Sequence, residues 1–210
     1  MKRTPRILIL SRLLFFSYFV FYTLCLFRGW FPGSVLTSYW LVYLIGVYIL
    51  AEKIYDAFLK RGVDVIYAFP LVFVAYMVNF VSMLLRGQEK IPLLNRTEHF
   101  ITYLLGAYIV WQFFLRYLSQ SVWREHPYYT SILVLSITTT FGVANEIIEL
   151  FMDINFGTHT VGARFDTSMD LLMNVLGVGL FLSIQLIIHE AVKSGIIKGS
   201  VETSIDKIRG

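Results

Sequence analysis

The chain has 210 residues, of which 57% are hydrophobic and only 15% charged, with a formal net charge of +4 and a mean hydropathy of +0.66. Soluble domains carry about 25% charged residues, so this composition excludes an ordinary water-soluble enzyme and a disordered chain. The only cysteine, Cys25, excludes a disulfide framework and a paired-cysteine metal or redox site. Its apolar neighbours predict a packing role.

Six apolar runs follow one another along the chain, each near the length of about 20 residues that a membrane-spanning helix needs. In chain order they are Ile7–Phe27, Val35–Ala51, Val65–Leu85, Phe100–Leu118, Ile132–Met152 and Leu171–Ile188. Short polar connectors separate them. The sequence therefore predicts an all-α integral membrane bundle of about six transmembrane helices, with residues 1–210 forming a single transmembrane domain.

The basic residues predict the orientation of the bundle, because Lys and Arg near membrane spans stay in the cytoplasm. With the N-terminus inside, thirteen of the 18 basic residues fall on the cytoplasmic side. We therefore expect a protein of the cell membrane with both termini in the cytoplasm, including a short tail at 189–210. The positive charge is explained by this topology, so the expected partner is the lipid bilayer and not a nucleic acid.

Ionisable residues near the ends of the fourth, fifth and sixth runs are the strongest sign of a site, since an ionised Asp costs about 2.5–3.5 kcal/mol at the centre of a membrane helix. They are His99, Glu146, Glu149, Asp166 and Asp170. The fifth helix is predicted to run outward and its two neighbours inward, so these side chains are expected at one depth. They would then line an outward-facing cavity, with His99 at its edge.

Carboxylate oxygens with one imidazole suit a divalent ion such as Mg²⁺, Mn²⁺, Ca²⁺ or Zn²⁺. The expected metal ligands are Glu146, Glu149, Asp166 and Asp170, and His99 is a further ligand or a general acid–base. The candidate catalytic residues are His99, Glu146, Glu149 and Asp170. The candidate substrate-binding residues are Tyr103, Arg164 and Asn174.

The same residues also have a structural interpretation. The acids could form buried ion pairs with Arg164 and Arg96 that fix the helix register. His99 could hydrogen-bond a carboxylate without binding metal, and Asp166 could be only an N-cap.

Three short motifs between residues 95 and 180 resemble those of known families. The segment Asn95–Phe100 is similar to a D-K-x-x-H-F motif that opens a helix, and Asn145–Glu149 is similar to a glutamate-containing helix end. Arg164–Asp170, followed by Asn174–Gly177, is similar to R-x-x-D-x-x-D and N-x-x-G. In these motifs the chain resembles the VanZ-like and YjdF-like families of small polytopic membrane proteins.

The resemblance implies a fold and the location of a site, with little chemistry. VanZ-like proteins are associated with tolerance to teicoplanin, which acts outside the membrane. This chain departs from the family pattern because Asn95 and Arg96 stand in place of Asp–Lys, which removes one carboxylate from the expected cluster.

Two hypotheses follow. In the first, the acids hold a divalent metal ion that acts on the headgroup of a lipid or of a lipid-linked envelope precursor. In the second, the chain is a non-enzymatic membrane protein whose acids bind a cationic ligand or form a structural ion-pair network.

Overall fold

The computed structural model describes residues 6–30, 34–86, 92–117, 120–157 and 165–196, with the side chains of 34–37, 83–86, 92 and 120–121 left out. This part of the chain is helical apart from short connections. Its seven helices are α1 (Arg6–Phe27), α2 (Ser34–Lys60), α3 (Ala68–Arg86), α4 (Pro92–Tyr117), α5 (Gln120–Glu125), α6 (Pro127–Phe156) and α7 (Asp166–Lys193). The end of the predicted tail, 197–210, lies outside the described residues.

The predicted all-α membrane bundle is confirmed. Helices α1, α6 and α7 are long and apolar enough to cross a membrane, and α3 contains a shorter apolar stretch, Ala68–Ser82. Large apolar side chains point outward from α1, among them Leu13, Phe16 and Leu24. Such a surface is stable in lipid and not in water. The count of six spans stays a prediction, because α2 and α4 are not among the candidate spans found in the described part of the chain.

Most helices extend beyond the apolar runs from which they were predicted. Helix α2 continues nine residues past Ala51, and α4 begins at Pro92, eight residues before the predicted Phe100. Helix α6 begins with a proline in its first turn and ends at Gly157, whose φ of 63° is the left-handed conformation that glycine adopts readily. The short α5, which contacts α4 and α6, was not predicted.

Aromatic side chains fill the space between α1, α2 and α3. The ring of Phe15 lies 4.6 Å from that of Tyr48, and 5.3 Å from those of Phe73 and Tyr76. The Tyr76 hydroxyl donates a hydrogen bond of 2.8 Å to the Leu44 carbonyl, which satisfies a buried polar group. Cys25 is buried in the same cluster, as its predicted packing role requires.

A charged pair joins α1 to α2 at one end of the bundle. Arg12 donates two hydrogen bonds to the Glu52 carboxylate, at 2.8 and 2.7 Å, and the Tyr48 hydroxyl donates a third at 2.7 Å. This bidentate contact explains how Arg12 is accommodated inside the first apolar run, because its charge is neutralised by that of Glu52.

Helices α4, α6 and α7 pack against one another, and α3 packs on α4. The contact between α4 and α7 is close because Gly177 has no side chain. A methyl group built there would collide with the backbone carbonyl oxygen of Phe100. The glycine thus allows the start of α4 to lie directly against α7, and this contact positions the side chains described next.

Candidate functional site

The start of α4, the end of α6 and the start of α7 bring ionisable side chains together at one end of the bundle. His99, Glu146 and Glu149 each offer a donor atom, and these three atoms all lie within 4.8 Å of one another. The Nε2 atom of His99 is also 3.7 Å from an Asp170 carboxylate oxygen. We call His99, Glu146, Glu149 and Asp170 the polar cluster.

The polar cluster is shielded from its surroundings. His99, Glu146 and Asp170 are 8%, 6% and 3% exposed, and Glu149 is partly buried. One carboxylate oxygen of Glu146, Oε1, is buried without any hydrogen-bond partner among the described residues. A buried carboxylate oxygen without a partner costs free energy, so it is a natural contact for a cation.

Asn174 hydrogen-bonds the His99 ring. The Nδ1 atom of His99 is 3.0 Å from the amide oxygen of Asn174. An amide oxygen only accepts hydrogen bonds, so in the tautomer that makes this contact Nδ1–H is the donor and Nε2 holds a free electron pair. That pair lies on the side of Asp170, in the arrangement by which a second residue orients a metal-binding histidine.

Two side-chain contacts hold α4, α6 and α7 in register around this histidine. Asn95 donates a hydrogen bond of 2.7 Å to Asp170, so an asparagine takes the position where the family pattern has an acid. Asn174 fits against Gly142, where an added methyl group would lie 2.6 Å from its amide nitrogen. Both contacts join residues that are far apart in sequence.

Hydrogen bonds link the polar cluster to α2, and a second chain beside it links α2 and α3 to Glu98 on α4. Tyr43 donates to Asn145, which donates to Glu149 at 2.8 Å. Trp40 donates to Asn79, which donates to Glu98 at 2.6 Å. The sequence missed the role of Tyr43, because a tyrosine in an apolar run has no distinct pattern.

The structure places the remaining predicted site residues as follows. The Tyr103 ring lies parallel to that of His99 at 6.3 Å, one turn along α4. Asp166 is near enough to Glu146 to interact with it electrostatically. Among the described residues, however, the group of close donor atoms contains His99 and not Asp166 or Asp170. Arg164 lies outside the described residues.

Two sequence expectations are corrected by this geometry. His99 lies at the centre of the polar cluster and not at its edge, because the close contact at Gly177 brings the start of α4 against α7. Asp166 is not the N-cap of α7. Phe165 occupies that position without a side-chain hydrogen bond, and Asp166 is already inside the first turn.

Comparison with known proteins identifies a family and no activity. A family model described as "Predicted membrane protein (DUF2238)" matches residues 8–191, which include every member of the polar cluster. No curated protein and no solved structure matches the chain. The YjdF-like resemblance agrees with this family, whereas the VanZ-like resemblance has no support in these comparisons. The chain therefore belongs to the DUF2238 family of membrane proteins.

Proposed function

We propose that this membrane protein binds one divalent metal ion in the polar cluster and uses it on the headgroup of a lipid or a lipid-linked envelope precursor. The observation that carries the proposal is the approach of three donor atoms, from His99, Glu146 and Glu149, to within 4.8 Å of one another in a buried setting. Three protein ligands with a fourth position open are typical of catalytic zinc sites.

The distances support an ion of this kind. Ligand atoms around a tetrahedral zinc ion stand about 2.0–2.2 Å from the metal, which puts them about 3.4 Å from one another. Small side-chain rotations would bring the three donors to that separation. The electron pair on His99 Nε2, fixed by Asn174, is then available to the ion.

In this proposal the polar cluster performs a hydrolytic or transfer reaction at a phosphate group. An ion held by His99, Glu146 and Glu149 would supply Lewis-acid chemistry, acting on a phosphate oxygen and activating a water molecule. Asp170 accepts the proton of that water, and the oxygen of the water attacks phosphorus. The bond from phosphorus to the leaving oxygen breaks, and the proton passes to that oxygen. The site would face the outer side of the cell membrane, with both termini in the cytoplasm.

A structural network is the second candidate function, favoured by the hydrogen bonds from Asn95 to Asp170 and from Asn145 to Glu149. It explains those two carboxylates. It does not explain Glu146, whose Oε1 has no hydrogen-bond partner in the described part of the chain.

Metal analysis of the purified protein tests the proposal. We expect about one divalent ion per chain, removed by a chelator and restored by adding Zn²⁺ or Mn²⁺. Glu146→Gln keeps the shape of the side chain and removes the charge. Loss of a residue that only supports a ligand costs about 10–100-fold in affinity, so the loss of Glu146 should cost at least as much.

Glu190→Gln is the matched control, because Glu190 is an exposed acid near the opposite end of α7. Its metal affinity should equal that of the wild type. Absence of metal from the wild type, together with a lower melting temperature for Glu146→Gln, would favour the structural network.

A further inference from the structure

Arg96 is a cation whose counter-charge is not found in the described part of the chain. Its Nε atom is buried and has no hydrogen-bond partner there. The ion pair found among the described residues, Arg12–Glu52, does not include it, and neither does the contact of His99 with Asp170.

Arg96 lies on the side of α4 that faces the polar cluster. It precedes His99 by three residues, which puts the two side chains on neighbouring turns. It precedes Tyr103 by seven residues, a separation that returns to nearly the same face of a helix. Tyr103 itself faces α6, since a methyl group added at Gly142 would lie 3.2 Å from its ring.

As a membrane span, α4 would place Arg96 just inside the hydrocarbon boundary, from which a long arginine side chain can reach the headgroups. The 26 residues of α4 span about 39 Å at 1.5 Å per residue, and the hydrocarbon core of a bilayer is about 30 Å thick. About three residues therefore extend beyond the core at each end. Arg96 is the fifth residue of the helix, so it lies near the boundary between hydrocarbon and headgroups.

We infer that Arg96 binds the phosphate group of the ligand that reaches the polar cluster. This inference rests on the proposed function, which gives the location of the ligand. It adds that the ligand carries a phosphate group. A guanidinium group matches phosphate oxygens with paired hydrogen bonds and keeps its charge at any physiological pH. One phosphate could then contact Arg96 on one side and the metal ion on the other.

The test measures binding of two soluble probes to the metal-loaded protein in detergent. The probes are dihexanoyl phosphatidate, a short lipid with a phosphate monoester, and inorganic phosphate. Charge-assisted hydrogen bonds are strong enough that their loss in Arg96→Gln should weaken phosphatidate binding by about tenfold or more. The metal content should not change. Arg124→Gln, an exposed arginine on α5, is the control and should bind as the wild type does.

The two probes distinguish the sources of the phosphate. Tighter binding of phosphatidate than of inorganic phosphate, lost in Arg96→Gln, supports a lipid headgroup. Equal binding of both probes, again lost in Arg96→Gln, supports Arg96 as a phosphate-binding residue with free phosphate as its ligand. Unchanged phosphatidate affinity in Arg96→Gln, with metal bound, overturns this inference and leaves the proposed function intact. A wild type without metal overturns the proposed function itself.

Glu89 provides a second control, since it is the only acid in the connecting segments 31–33, 87–91 and 158–164, which lie outside the described residues. If Glu89 is the partner of Arg96, then Glu89→Gln and Arg96→Gln should lower the melting temperature equally, and the double variant should be no less stable. That result would overturn the inference. If the two substitutions change the melting temperature independently of each other, the inference is supported.

Discussion

Asn174 shows how one amide determines the chemistry available to a histidine. It is 1% exposed, and its amide oxygen lies 3.0 Å from His99 Nδ1, a contact that selects the tautomer with the proton on Nδ1. It has room only because residue 142 is a glycine. The polar cluster therefore depends on a residue with no side chain.

Gly142→Ala is predicted to weaken metal binding. The added methyl group would lie 2.6 Å from the Asn174 amide nitrogen, closer than such atoms can approach, so the amide must move away from His99. Loss of an orienting hydrogen bond costs about tenfold in metal affinity. A calorimetric titration with Zn²⁺ measures the metal affinity of the variant and of the wild type.

Gly106→Ala is the control for that variant, because its methyl group would make an ordinary contact of 3.4 Å with Thr138. Its metal affinity should stay at the wild-type value. Equal affinities for Gly142→Ala and the wild type would mean that Asn174 does not orient the histidine.

At this scale the sequence indicated which side chains meet and not how they contact one another. Glu146, Glu149 and Asp170 could be selected from the sequence because charged residues inside apolar helices are rare. Their helical spacing then indicated a shared face. The hydrogen bond between His99 and Asn174 depends on the distance between two helices, which no spacing within one helix encodes. The contact of Asn95 with Asp170 was hidden for the same reason.

At the scale of the helices, the close packing of α4 against α7 depends on the backbone contact at Gly177. The sequence predicted the centres of these helices well, because apolar runs mark the lipid-embedded part. It predicted their ends poorly. Backbone hydrogen bonds continue through the charged residues at the start of α4 and the end of α2, where hydropathy has already fallen.

Gly177→Ala is predicted to destabilise the protein by separating α4 from α7. Its methyl group would meet the Phe100 carbonyl, a backbone atom that cannot rotate away. Overpacking of this kind costs about 1–3 kcal/mol. Thermal unfolding can be followed with a thiol-reactive dye, since the only cysteine, Cys25, is buried until the fold opens.

Gly179→Ala serves as the comparison within the same helix. Nothing lies within 4 Å of the methyl group that it adds. The exchange should be neutral or should stabilise the helix by up to about 1 kcal/mol. Equal destabilisation by both variants would contradict the role given to Gly177.

Over the whole molecule, polar contacts gather toward the two ends of the bundle and apolar side chains face outward between them. The pair Arg12–Glu52 lies toward one end, and the polar cluster lies toward the other. The expected orientation of these ends in the membrane comes from the distribution of basic residues alone, so it needs a direct experiment.

Single cysteines at positions 90 and 207, in a Cys25→Ser background, are predicted to lie on opposite sides of the membrane. In intact cells an impermeant maleimide should label Lys90→Cys. It should label Lys207→Cys only after the membrane is permeabilised, because the cytoplasmic side carries thirteen of the 18 basic residues. Labelling of both positions in intact cells would show that the orientation is wrong.

The contact between His99 and Asn174 joins residues that are 75 positions apart in the chain, and this separation affects how the protein is made. At about 5–20 residues per second, a ribosome needs roughly 4–15 s to add that length. During this interval α4 has been synthesised while the partner of its histidine has not. The polar start of α4 must therefore wait at the water interface or within the insertion machinery. We expect the contact of His99 with α7 to form only after that helix has been made.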